Sequence, residues 1–103
     1  MKTRVVRRSY RRAGKVVPLQ AKHFKGRSVK LAPGQAMDWH STRNREEVLI
    51  ALAGTIHLET ENGSRAVKAT RLFAGQCAFL PTRTRHQVTN RSRRVAHYLY
   101  LTA

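Results

Sequence analysis

Two stretches of this chain hold side chains whose types and spacing could do chemistry. In GQAMDWHSTRNREEVLIALAG, five residues separate Gly34 from His40, and Thr42, Glu47 and Gly54 follow. In GQCAFLPTRTRHQVTN, five residues separate Gly75 from Pro81, and Arg83, His86 and Asn90 follow. Residues 40 and 42 share one face if they lie on a single strand, because strand side chains alternate. Were that face to line a barrel, Glu47 on the next strand and His86 from the second stretch could meet His40. Two imidazoles and a carboxylate around one point make a facial site for Fe(II), and they also suit Mn, Ni, Zn or Cu. A carboxylate seated inside a barrel needs a partner, since a lone buried charge is costly or neutralises. A metal, the two histidines or an arginine would each serve. The bland alternative makes both histidines structural, hydrogen-bonded within a polar interior.

The elements that must position these groups read as strands. Short runs rich in Val, Ile, Leu, Thr and Phe alternate with turn signals at Lys25-Gly26, Pro33-Gly34, Asn62-Gly63, Ala74-Gly75 and Pro81. Strands are expected near 16–21, 28–32, 37–42, 47–52, 55–60, 65–70, 77–80, 86–90 and 95–101. Between IHLET and RAVKA, ENGS predicts a two-residue Asn-Gly hairpin. No segment has the spacing of a long amphipathic helix. In IHLE, inward Ile56 and Leu58 turn His57 and Glu59 outwards. Glu47, Leu49 and Ala51 share the parity of His57, so the facing must switch between them, and Gly54 can host the bulge or bend.

Both spacings resemble the two motifs of the cupin superfamily, G-x5-H-x-H-x3/4-E-x6-G and G-x5-P-x-G-x2-H-x3-N. The match covers residues 34 to 90, a little over half the chain. The resemblance implies an all-β fold, an antiparallel double-stranded β-helix or jelly-roll barrel. It further implies metal ligands at His40, Glu47 and His86. Thr42 stands where the family has its second histidine, which makes it a pocket hydroxyl rather than a ligand. Arg83 replaces a glycine, so the turn after Pro81 must do without that residue's freedom at positive φ. Arg83 and Arg85 are either solvated loop charges or a clamp for an anion at the barrel mouth. His97 joins the pocket if Val95, Leu99 and Leu101 face inwards, and is exposed if Tyr98 and Tyr100 do. Trp39 should point away from the lumen, and Cys77 should be a small buried hydrophobe. Small cupins usually pair, so a homodimer is expected, which would also cover a sheet edge.

Composition bounds the rest. One domain fits in 103 residues, read as a basic arm or edge strand over 1–15 and a barrel over 16–103. The longest apolar run, VLIALA, is far too short to span a membrane. The Arg-rich N-terminus has the flavour of an organelle transit peptide, but the basic bias continues throughout. A single cysteine excludes an internal disulfide, and a cytoplasmic protein is the default. There are 21 Lys and Arg against five acids, and the first acid is Asp38. Such an excess attracts anions, nucleic acid among them. Three function classes follow: a metal-dependent dioxygenase, isomerase or lyase acting on a small anionic molecule; a metal-free small-ligand binder or sensor; and a nucleic-acid-associated protein acting through its basic arm.

Overall fold

In a computed structural model of the chain, which describes residues 5–61 and 63–103, nine strands follow one another without an intervening helix among the described residues. They are β1 (Gly14–Lys15), β2 (Lys25–Leu31), β3 (Ala36–Ser41), β4 (Glu47–Ala53), β5 (Thr55–Glu61), β6 (Val67–Phe73), β7 (Cys77–Leu80), β8 (Arg85–Thr89) and β9 (Ala96–Thr102). Every pairing is antiparallel. One sheet runs β1-β2-β9-β4-β7 and the other β3-β8-β5-β6. The two face each other as the walls of the expected jelly-roll barrel.

Alternation explains the core. Leu49 and Ala51 of β4, Ile56 and Leu58 of β5, Val88 of β8, Val29 and Leu31 of β2 and Tyr98 of β9 are buried together between the sheets. Each large aliphatic side chain so placed contributes roughly 1.5–3 kcal/mol. The facing does switch between β4 and β5. The β4–β9 register slips between Ala51 and Ala53, and Gly54 takes φ +73°. A Cβ at Gly54 would lie 3.0 Å from the Val95 carbonyl oxygen. The chain thus needs glycine twice over at this corner, for conformation and for space.

Three expectations require correction. Residues 16–21 form no strand; pairing ends at Lys15, and Pro18 opens a turn closed by the Ala21 amide donating to its carbonyl at 3.1 Å. The β5–β6 hairpin is longer than two residues, since pairing ends at Glu61 and Val67; Asn62 lies outside the described residues. Cys77 is exposed, because β7 is an edge strand and Cys77 is on the face opposite Ala78 and Leu80.

Asn90 locks the end of β8. It is buried, its amide nitrogen donates to the Leu31 and Arg94 carbonyls at 2.9 and 2.7 Å, and its oxygen accepts from the Ser92 amide and hydroxyl. Every polar site of the side chain is used, as burial demands. Its motif position therefore has a structural explanation.

Candidate metal centre

His40 and His86 are cross-strand partners on β3 and β8. A slip in the β3–β8 register between Met37 and His40 lets both of those residues line the lumen despite their opposite parity. Glu47 comes from the other sheet, as the first residue of β4, held between Leu80 of β7 and Thr102 of β9. Donor atoms of His40, Glu47 and His86 all lie within 4.8 Å of one another. His86 Nε2 is 3.4 Å from Glu47 Oε2, with side-chain exposures of 1% and 5%. The two imidazole rings are 4.3 Å apart between centroids and tilted by 56°. His40 is on the exposed side of the group.

The orientation of both rings has a local cause. His40 Nδ1 lies 2.8 Å from the Asp38 carbonyl and His86 Nδ1 lies 3.0 Å from the Thr84 carbonyl. A carbonyl can only accept, so each Nδ1 carries a proton, and in the neutral ring Nε2 is the nitrogen left to offer a lone pair to the cluster. Acceptors placed behind ligating imidazoles in this way fix ring orientation and raise ligand basicity at metal sites. Ligands on an ion at about 2.1 Å sit roughly 3–3.4 Å apart, and the Glu47–His86 separation already meets that. The donors lie within 4.8 Å of one another, so His40, on the exposed side, would close in on an ion, and the donor types suit a divalent transition metal.

Electrostatics binds the pair as well. Burial opposes a charged His86, but the hydrogen bond with Glu47, the Thr84 carbonyl and the carboxylate's charge outweigh it and raise the imidazole's pKa. In the absence of an ion, His86 protonated at Nε2 can donate to Glu47, so the carboxylate has a partner ready. Around the donors, Met37, Leu49 and Val88 form an apolar floor, and Tyr98 and Tyr100 form a wall. Burial pushes the Tyr98 phenol well above its ordinary pKa, with Tyr100 and Glu47 adding to the effect, so it stays neutral. The lumen itself offers only about 20 Å³, room for an ion or one water.

The remaining candidates lie elsewhere. Thr42 is buried, but its hydroxyl donates to the Pro81 carbonyl at 2.8 Å and accepts from the Thr84 amide at 3.0 Å. It clips the turn before β8 instead of lining the lumen. Arg83 takes the left-handed conformation itself, at φ 57°, with its amide donating to the Arg43 carbonyl at 2.7 Å. The turn keeps a glycine-like geometry at a strain cost of roughly 1–2 kcal/mol. Arg85 turns to the outer face, 3.4 Å from Glu61 and over the Trp39 ring at 5.6 Å. His97 points outwards, since Tyr98 is the buried member of that pair; it contacts the Ser28 hydroxyl, which in turn donates to the Tyr10 carbonyl. These contacts dock residue 10 against β2 and β9. Glu59 is on the outer face as expected, yet buried, because Gln87 and Arg91 cover it.

Sequence reasoning missed Met37, whose inward turn depends on the β3 slip, which has no signature in the sequence. It left Tyr98 and Tyr100 undecided, although the alternation in AHYLYLT contained the signal.

Comparison with known proteins agrees with this architecture. The family model described as Cupin domain matches residues 27–102. The TT1209 protein of Thermus thermophilus is 26% identical, with a TM-score of 0.74 over 95% of this chain and 89% of that one. A Cupin 2 conserved barrel domain protein from Salinispora arenicola is 24% identical, with a TM-score of 0.72 over 99% and 87%. An oxalate oxidase is 16% identical, with a TM-score of 0.72 over 78% of this chain but only 41% of its own, so the present chain spans less than half that enzyme. No curated protein sequence matches. With its motifs, its two facing antiparallel sheets and a family match over some three quarters of its length, the chain belongs to the cupin family.

Proposed function

We propose that this cupin holds a divalent transition metal through His40 Nε2, Glu47 and His86 Nε2, and acts on a small anionic molecule at the barrel mouth. One observation carries the reading: both histidines are fixed by backbone carbonyls at Nδ1, which leaves Nε2 of each ring and a buried carboxylate as the donors of one cluster. A bound ion would supply Lewis-acid polarisation of a substrate oxygen or a site for dioxygen. The protein's own part is to orient the three donors, to keep the floor apolar and to hold Tyr98 neutral beside them. Metal content of protein purified without chelator or metal-affinity resin tests this. Near-stoichiometric Fe, Mn, Ni, Zn or Cu, lost in His86→Ala and in Glu47→Gln, is the expected result; metal-free protein that binds none of these ions on titration refutes it.

A metal-free ligand-binding cupin is the second reading, favoured by the Glu47–His86 pair, which satisfies the buried carboxylate without an ion. An ordered organic ligand in metal-free protein would decide for it.

We also propose a homodimer. The outer face of the β4, β7 and β9 strands presents Val48, Ile50, Phe79, Leu99 and Leu101 in register across three strands. Phe79 is 59% exposed. A contiguous apolar sheet face is what a second copy would cover.

A further inference from the structure

The lumen is not the largest cavity among the described residues. A cleft of about 380 Å³ opens between the 16–24 loop and the start of β2 beside the end of β9, a volume typical of small-molecule sites. Its walls divide by chemistry. Leu19 and Phe24 offer apolar surface that the fold leaves largely uncovered, at 90% and 59% exposure. Lys22, Lys25 and Arg27 line the same space, and no acidic residue does. Among the described residues, none of these three cations takes part in an ion pair.

The cleft adjoins the metal centre. Tyr100 lines both spaces and is the cross-strand partner of Arg27 on β2 and of Leu49 on β4. Arg27 shares the strand parity of buried Val29 and Leu31, which places it at the rim of the barrel's inner face. The loop that closes the cleft is tied down: Arg45 donates to the His23 carbonyl and to Thr102. A lumen of about 20 Å³ cannot hold an organic molecule, so the body of any such ligand has to lie outside it.

We infer that this cleft binds a small amphiphilic carboxylate. The carboxylate is held by Lys22, Lys25 and Arg27, and the apolar body lies on Phe24 and Leu19, one phenol away from the His-Glu-His cluster. This goes beyond the metal reading and needs no ion. Unpaired cations converging on apolar surface, with no competing acid, favour an anion that carries its own hydrophobic area.

Octanoate and its uncharged analogue 1-octanol test the inference on the full chain, by calorimetry and by amide chemical-shift mapping. Octanoate should bind with one-to-one saturation, roughly tenfold or more tighter than octanol, and shift the amides of residues 17–27 and 100. The Lys25→Glu/Arg27→Glu double variant, whose two sites are exposed, should lose about tenfold or more in affinity. Arg93→Glu/Arg94→Glu, an equal change in net charge away from the cleft, should bind as the wild type does. His86→Ala should also bind octanoate unchanged, so a failed metal reading leaves this result standing. Equal affinity for octanol, shifts spread over the basic surface, or equal losses in the two charge-reversal variants would each overturn the assignment.

Discussion

Thr42→Val separates a structural role from a role in the pocket. The substitution is nearly isosteric and removes only the hydroxyl, which donates to the Pro81 carbonyl at 2.8 Å and accepts from the Thr84 amide at 3.0 Å. Pro81 keeps a partner, because the Thr84 hydroxyl also donates to it at 2.9 Å. The Thr84 amide has no such reserve and faces a side chain only 6% exposed at position 42. Leaving that donor unpaired costs about 1–3 kcal/mol, and the lost bond to Pro81 adds about 0.5–1 kcal/mol. The expected destabilisation is therefore about 1.5–4 kcal/mol. For a domain of this size it corresponds to a fall in Tm of roughly 6–30 °C. Urea unfolding gives the free energy, and metal titration of the folded variant gives the second readout. Because Thr42 clips the turn and does not reach the donors, metal affinity should stay within a few-fold of wild type. A stability change below about 0.5 kcal/mol, or a selective loss of metal at unchanged stability, would refute the reasoning.

Other perturbations act on separate features. Gly26→Ala would set a Cβ 2.5 Å from the Tyr100 carbonyl oxygen and 2.6 Å from Leu101 Cδ2; forcing β2 from β9 should cost roughly 2 kcal/mol or more in thermal or chemical unfolding. Glu59 is held below the usual carboxylate range, first by the Gln87 hydrogen bond and then by Arg91. A depressed folded pKa means that the unfolded chain binds the proton more readily, so this stability is present above the unfolded value near 4.5 and is lost as pH falls through the folded one. Glu59→Gln should accordingly be less stable than wild type at neutral pH, with the gap narrowing below about pH 4.5 in pH-resolved denaturation; a gap constant with pH would contradict this. Phe79→Glu on the exposed face of β7 should turn a dimer into a monomer in light-scattering chromatography, and an unchanged mass would remove that face as the interface.

Local pattern was enough for much of this protein. Short runs of β-forming residues between turn signals marked eight of the nine strands to within a few residues, and Gly54 between two runs of opposite parity marked the corner from β4 into β5. These features depend on near neighbours, which a sequence displays directly. His40, Glu47 and His86 were singled out as donors through the resemblance of the two spaced motifs to those of the cupin superfamily. Contacts between remote segments, by contrast, were settled by the packed fold alone. The slip in β3 that brings Met37 inwards, the capture of the Thr42 hydroxyl by Pro81 and Thr84, and the Arg85–Glu61 pairing depend on which strand lies beside which. The basic cleft is the clearest case. Lys22, Lys25 and Arg27 do not stand out in a chain with 21 cations, and they acquire a common target only when β2 pairs with β9 and sets them beside Tyr100.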